Sequence, residues 1–562
     1  AGVGEEFALR AAGRFGLVAC FRQRVGAAAA LGDVVDDPDR ADAARATRID
    51  GTRPHAGPEH LAVAADHLEF ALEGRARLQQ RPGKAPDLGV GRIARPDGTA
   101  GLPDQRAGRP AQDLLETRVD VLEAPILPTL LRLGAPNVLV MLAQAGTGLV
   151  ETYFIGQLGT DALAGMALVF PVVMLMQMTS AGAMGGGIAS AIARALGAQR
   201  RDDADALVLH AITIALGFGL LFSVAVLGGG RWLYARMGGS GGALDAALLY
   251  SNWVFAGAVL VWLFNSLSAV IRGTGNMAYP ALVTVVGAVG LVPLSAWFIF
   301  GGGPLPALGI AGGAMALLSY YALGSIALAL YLGSRHSGLR PSLRGVRLRW
   351  NLFKDILVVG LTGSISTVAT NLTIAISTAL VGAFGAAAIA GYGTASRLEY
   401  LMVPLVFGLG APLVALVGTN IGAGQHRRAL RAALLGGAVA FCLTQAVGVA
   451  AAVWPMAWLS LFDTDPRMLE TGAAYLRLVG PTYGFFGLGL CLYFASQGAG
   501  RLLWPLLAGM LRMVLAIGGG WLALRLTGSL TWVFAALAVA LVVYGSTLAL
   551  AIAAGAWFRA AR

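Results

Sequence analysis

The sequence predicts an all-α integral membrane protein with twelve transmembrane helices. They fall in two six-helix lobes related by pseudo-twofold symmetry along the membrane normal. Three observations carry this expectation. The 562 residues are 57% apolar and only 13% charged, with a mean hydropathy of +0.70. A soluble chain of this size cannot keep so many apolar residues off its surface, whereas lipid accepts them. The apolar residues also come in long runs rather than in short alternating stretches. Finally, the second half repeats the first: Gly134–Arg201 falls on Gly360–Arg427 at a constant offset of 226. Within that match GQLGTDALAG (Gly156–Gly165) meets GAFGAAAIAG (Gly382–Gly391), and ALGAQRR (Ala195–Arg201) meets IGAGQHR (Ile421–Arg427). At an offset of 225, IRGTGNMAYP (Ile271–Pro280) meets SQGAGRLLWP (Ser496–Pro505).

Residues 1–124 come first and differ from everything after them. They contain no Met, Ser, Asn, Tyr or Trp, and Ala, Gly, Arg, Asp and Pro dominate. Such a composition buries too little apolar surface to offset chain entropy. The segment is expected to be a low-complexity extension, disordered or non-native. The N-lobe is expected over 125–340 and the C-lobe over 341–562. Apolar runs long enough to span a bilayer fall at about 128–154, 162–193, 204–228, 245–270, 279–300 and 307–333. The second set lies at about 353–381, 388–418, 428–455, 470–496, 503–526 and 530–558. Six spans per copy make both copies enter from the same side, which puts the symmetry axis along the membrane normal. Pro136, Pro171, Pro293, Pro404 and Pro412 lie inside spans and are expected to kink them. The 78 glycines suit close helix packing where no hydrophobic drive operates between helices.

The loops orient the spans. Residues 1–124 carry 17 Lys/Arg against 19 Asp/Glu, which leaves 24 against 11 for the rest of the chain. Those basic residues collect in alternate loops: Gln199–Arg201, Arg272, Arg335–Lys354, Gln425–Arg431 and Arg501. The other loops are short and less basic, and one carries Asp463, Asp465 and Glu470. The positive-inside rule therefore explains the basic balance better than nucleic-acid binding does. It places both ends of the membrane part in the cytoplasm. Cys20, Cys442 and Cys491 are far apart and give neither a disulfide framework nor a metal spacing. His210, His336 and His426 are scattered, so no metal site is expected. RGTGN lacks the Gly-Lys-Ser/Thr ending of a phosphate loop, so no ATPase segment is expected either.

Taken in order, LVETYFIGQLGTDALAG, ALGAQRRDDA, IRGTGN, YGTASRLEY, VGTNIGAGQHRRA and LFDTDPRMLETGAAYLRLVGP resemble the multidrug and toxic compound extrusion (MATE) transporters. The resemblance covers about 125–562 and leaves 1–124 out. It implies a secondary antiporter in the bacterial plasma (inner) membrane that exports organic cations, drugs or related amphiphiles. It also implies a monomer embedded in the lipid bilayer, with no cofactor. Two rivals stay open: a lipid-linked saccharide flippase of the same superfamily, and a sodium-coupled drug antiporter. An integral membrane enzyme would need a polar catalytic cluster, and none is visible.

Two acids lie well inside predicted spans, Glu151 and Glu399. An ionisable group at membrane depth costs roughly 2.5–3.5 kcal/mol on insertion scales, so each is a functional candidate. Asn137, Gln144 and Glu151 are spaced by seven residues, about 700° of helix turn, and so form one stripe. Thr147 lies one turn before Glu151 on that face. The stripe is either a proton- or cation-binding cavity face or a structural network between helices. By resemblance, Glu151 matches the first-helix carboxylate used for coupling, where Asp is usual. The fifth-helix Asn and Asp of many proton-coupled members fall on Leu291 and Ser295. The seventh- and tenth-helix stretches whose acids bind sodium in another branch, Ser364–Thr378 and Pro481–Ser496, contain no carboxylate. Proton coupling through Glu151 is therefore expected, and sodium is disfavoured. In the second copy Ser377 replaces Glu151, so the C-lobe cavity is expected to be polar but uncharged. Thr370 and Asn371 supply a hydroxyl and an amide there. Tyr392 is a candidate for stacking on a flat cation. Arg397 and Glu399 sit about 200° apart on one helix and cannot pair easily, so each is expected to find a partner elsewhere.

A single cysteine placed in the Arg335–Lys354 connector of an otherwise cysteine-free protein should resist impermeant thiol reagents in intact cells and react after lysis. Labelling from outside would invert the topology.

Overall fold

In hydrocarbon each backbone N–H and C=O must be bonded within its own segment, so apolar runs of this length fold as helices. The computed structural model describes residues 121–302, 306–334, 336–341 and 348–558. Residues 1–120 of the extension, and residues 335 and 342–347 of the basic connector, lie outside the described residues. Eleven helices are long and apolar enough to cross a membrane: α1 Ile126–Gly156, α2 Thr160–Gly197, α3 Arg201–Arg236, α5 Ala278–Phe300, α6 Ile310–Gly333, α7 Trp350–Gly382, α8 Ala386–Gly422, α9 His426–Val453, α10 Pro466–Ala499, α11 Leu503–Thr527 and α12 Leu530–Ala553. A pair bent by 48°, Gly241–Ala256 and Ala258–Gly273, supplies α4 as the twelfth. The twelve fall in two six-helix lobes, α1–α6 and α7–α12.

The breaks in the regular α-helical pattern do not fall at the prolines. The fourth span, expected as one helix, breaks at Gly257. Pro136, Pro171, Pro293, Pro404 and Pro412 all lie inside continuous helix. Neighbouring helices tolerate the freed carbonyls there. Two widened turns mark the strain instead: Met178–Met184 in α2 and Leu515–Gly519 in α11. Such π segments concentrate at functional positions. The twelfth helix ends at Ala553 rather than at 558.

Lobe-to-lobe bonding gathers at the end that carries the basic loops. Arg194 of α2 pairs with Asp355 of α7 at 2.7 Å. Ser190 donates to the Gly498 carbonyl of α10 at 3.2 Å, and Gln497 returns a bond to the Gly182 carbonyl at 3.2 Å. Just before α1, the Val121 carbonyl accepts from Asn420 and from Arg428, each at 3.3 Å. Val121 is itself buried, so packed structure begins a few residues ahead of the expected boundary at 125. The connector closes onto α3, where Arg349 pairs with Asp203 at 2.7 Å and its N–H donates to His210 at 2.9 Å.

Small residues make this junction possible. A Cβ on Gly197 would stand 2.2 Å from the Thr419 carbonyl, and one on Gly422 would stand 2.2 Å from the Arg194 carbonyl. The ends of α2 and α8 thus cross backbone to backbone. At the other end each lobe closes on itself: the first part of α2 packs on the first part of α4, and α8 packs on the first part of α10. The hydrogen bonds and the ion pair described above, between the lobes, lie at the end that carries the basic loops.

Gly422→Val should force α2 and α8 apart and cost about 1–3 kcal/mol, as overpacking does. The thermal midpoint of the purified protein in detergent should fall by several degrees. Gly393→Ala, where an added Cβ meets nothing within 4 Å, should leave it unchanged.

Candidate functional site

The first-helix stripe does not act as one unit. Asn137 is buried, and its amide donates to the Leu133 carbonyl at 3.3 Å. Gln144 is exposed. Thr147 spends its hydroxyl on its own helix, at 3.1 Å from the Ala143 carbonyl and 3.0 Å from that of Gln144. Glu151 turns inward and is 9% exposed. A straight helix of seven-residue spacing drifts by about 20° per repeat, and the neighbours of α1 change along its length. Near Asn137 it meets α8, with Gly134 against Gly408. Near Glu151 it meets α6, where Gly313 leaves room beside Ile155 and the Glu151 carboxylate.

Glu151 is buried inside the N-lobe. Its Oε1 is buried with no hydrogen-bond partner among the described residues. Tyr250 of α4 reaches the carboxylate with its hydroxyl, and Tyr321 of α6 lies within electrostatic range. From Tyr321 a polar chain runs on. The Gln177 amide hydrogen-bonds the Tyr321 hydroxyl, and Asn265 donates to Gln177 at 3.1 Å and to Ser180 at 2.8 Å. Gln177 immediately precedes the widened turn of α2, and Ser180 lies inside it. The chain therefore ties the carboxylate to the irregular turn that also touches the C-lobe through Gly182 and Gln497. Leu291 and Ser295 of α5 are both buried, and Ser295 Oγ finds no partner among the described residues.

The C-lobe differs from expectation. A pocket there is lined by Thr373, Ser377, Tyr392, Glu399, Tyr475 and Arg512, among others, so it is charged and not merely polar. Glu399 accepts a hydrogen bond from the Tyr475 hydroxyl, and Arg512 is its cationic neighbour. Arg397 is separate: it is exposed, with its guanidinium 5.9 Å from the Phe462 ring centre. Tyr392 is buried edge-on to Tyr475 at 5.2 Å between centroids, so it packs rather than presents a free stacking face. Thr370 and Asn371 are exposed, bonding back to Ser366 and Thr367 at 3.0 and 2.9 Å. The structure thus holds one inward-facing carboxylate in each lobe, Glu151 and Glu399, apart from the exposed Gln144, Thr370 and Asn371. Among the described residues no group of three His, Cys, Asp or Glu could hold a metal ion.

Sequence reasoning missed Tyr250, Gln177, Asn265, Tyr321, Tyr475 and Arg512. It counted acids and passed over the uncharged polar residues in other spans. One signal was present: Tyr250 and Tyr475 are 225 apart, the register of the Ile271 and Ser496 segments.

A family model described as MatE matches residues 136–297 and 364–522, one block in each lobe. An FAD transporter of Shewanella oneidensis is 28% identical over 404 residues, covering 71% of this chain and 88% of that protein. A probable multidrug resistance protein NorM of Thermotoga maritima is 24% identical over 383 residues, covering 67% and 81%. Among solved structures, a MOP superfamily transporter from Pyrococcus furiosus superposes with a TM-score of 0.72 at 24% identity, covering 79% of this chain and 99% of that one. An outward-facing multidrug resistance MATE transporter gives the same score, identity and coverage. These likenesses bear on the fold.

Asn265→Leu should leave Gln177 and Ser180 without a shared donor and cost roughly 1–3 kcal/mol. The thermal midpoint in detergent should drop measurably. An unchanged midpoint would show that the chain is not a structural tie.

Proposed function

Because the chain belongs to the MATE family, and is therefore a multi-pass membrane transporter of small molecules and not an enzyme, we propose that it is a proton-coupled antiporter exporting amphiphilic organic compounds. The observation that carries this is Glu151: a carboxylate buried inside the N-lobe with one oxygen unpartnered. An ionised carboxylate with a free oxygen in that setting is costly, and a proton removes the cost. Binding a proton from outside lets Glu151 settle against Tyr250 and Gly313. Losing it toward the cytoplasm restores a charge that demands rearrangement. The chain through Tyr321, Gln177 and Asn265 offers a physical route from that charge to the widened turn of α2. The proton is preferred to sodium because Glu151 is the one carboxylate of this polar chain among the described residues, and protonation alone removes its charge.

A bacterial inner-membrane location with the basic loops in the cytoplasm, a monomeric state and a cationic substrate complete the proposal. Under it the end that carries the lobe-to-lobe bonds faces the cytoplasm. A second reading of the substrate has one observation in its favour. Arg397 is exposed on α8 beside an aromatic ring, which suits a flat molecule carrying an anionic group. The FAD transporter among the relatives is consistent with that alternative.

In proteoliposomes with an imposed pH gradient and ethidium as probe, Glu151→Gln should cut efflux to roughly a tenth or less, within the range set by losing a proton-transfer group. Glu151→Asp should retain a substantial part of it. Full gradient-driven efflux in the Gln variant would remove Glu151 from the mechanism. Equal transport of an anionic flavin and failure with ethidium would favour the second substrate reading.

A further inference from the structure

The C-lobe contains a carboxylate that the mechanism above does not use. Glu399 comes from α8, and the Tyr475 hydroxyl of α10 donates to its Oε1. Tyr475 is Tyr250 displaced by 225. Each lobe therefore offers a tyrosine from its fourth helix to an inward-facing carboxylate. What differs is the helix that supplies the acid: α1, the first, in the N-lobe, and α8, the second, in the C-lobe. The position equivalent to Glu151 is Ser377, which is 1% exposed and whose Oγ has no hydrogen-bond partner among the described residues. Ser377 lines the same pocket as Glu399. The acid has moved to the adjacent helix.

The C-lobe pocket has one part that the surroundings of Glu151 lack. Arg512 of α11 lines it from the far side. Its guanidinium lies 5.5 Å from the Tyr544 ring centre and 5.8 Å from that of Phe486. It is a neighbouring charge to Glu399, but the two are not among the ion pairs of the described residues. The guanidinium thus rests on aromatic faces while the carboxylate is held by a tyrosine. Arg512 stands just ahead of the widened turn Leu515–Gly519 of α11.

We propose that Glu399 is a second proton-binding site of this transporter, with Arg512 as its built-in counter-charge. Protonated, Glu399 is satisfied by Tyr475, and Arg512 stays on Phe486 and Tyr544. Deprotonated, it draws Arg512 across the pocket, pulling α11 toward α8 next to the widened turn Leu515–Gly519. The guanidinium supplies from within the chain the positive charge that an inorganic cation would otherwise bring. Groups face Glu399 from every helix packed around it. Tyr392 and Tyr400 come from α8, Tyr475 and Tyr483 from α10, and Arg512 from α11. The α7 and α12 walls give hydroxyls and apolar side chains only, such as Thr373 and Leu541. Arg512 is thus the one cation, and Glu399 the one carboxylate, of the pocket. The coupling role rests on the proton-antiport proposal, whereas the proton site itself does not.

Infrared difference spectra of the full chain in lipid, taken between alkaline and acidic pH without substrate, test this directly. Two carboxylic-acid C=O bands should appear, one lost in Glu151→Gln and the other in Glu399→Gln. Arg512→Gln should keep the Glu399 band but move its midpoint to higher pH by about one unit or more, since an adjacent cation favours the carboxylate. Arg512→Lys, which keeps the charge, should move it less. Retention of every band in Glu399→Gln, or an unmoved midpoint in Arg512→Gln, would overturn the proposal. If Glu399→Gln cannot be recovered folded, the Arg512 pair decides alone. The Glu151 band bears only on the function proposed above.

Discussion

A polar group in hydrocarbon must find a partner or face water, and the layout of this molecule follows from that cost. It turns the backbone into helices and the two mid-span acids inward. It also turns the hydroxyls of Thr147 and Thr370 and the amide of Asn371 back onto carbonyls of their own helices. The same cost explains why the two acids are held so differently from the surface acids. Glu151 and Glu399 each meet a tyrosine hydroxyl inside a lobe, whereas Asp203 and Asp355 meet arginines at the basic end.

The junction between the lobes is built on an opposite economy. At Gly197 and Gly422 there is no side chain to accommodate, so backbones of α2 and α8 touch. Contacts of this kind are strong when matched and lost abruptly when parted, which suits two discrete arrangements. The polar bonds across the junction run from Arg194, Ser190 and Gln497, with Asn420 and Arg428 reaching the Val121 carbonyl just before α1. A rocking motion would break few bonds within either lobe. The widened turn of α2 sits between Glu151 and this junction, and so can pass a change in one to the other.

Much of the fold was legible because hydropathy and an ungapped repeat are long-range signals. All twelve spans and both lobes follow from them, and the family resemblance agreed. Local breaks were less legible. The break at Gly257 and the widened turns beginning at Met178 and Leu515 carried no proline to mark them. The site was half legible. Glu151 and Glu399 stood out as charges in apolar runs. Tyr250, Tyr475, Asn265 and Arg512 did not, because their roles depend on which helices touch. The expectation of an uncharged C-lobe pocket failed for that reason: it looked for an acid at the Glu151 equivalent, Ser377, and the acid had moved one helix along.

The central claim is that protons alone energise the cycle. The most direct measurement opposes two gradients in the same proteoliposomes of the wild-type chain, a pH gradient favouring ethidium efflux and a sodium gradient favouring uptake. Net movement should follow the pH gradient and be indifferent to sodium at any setting. Movement that follows sodium, or that persists when the pH gradient is collapsed and sodium remains, would contradict the account.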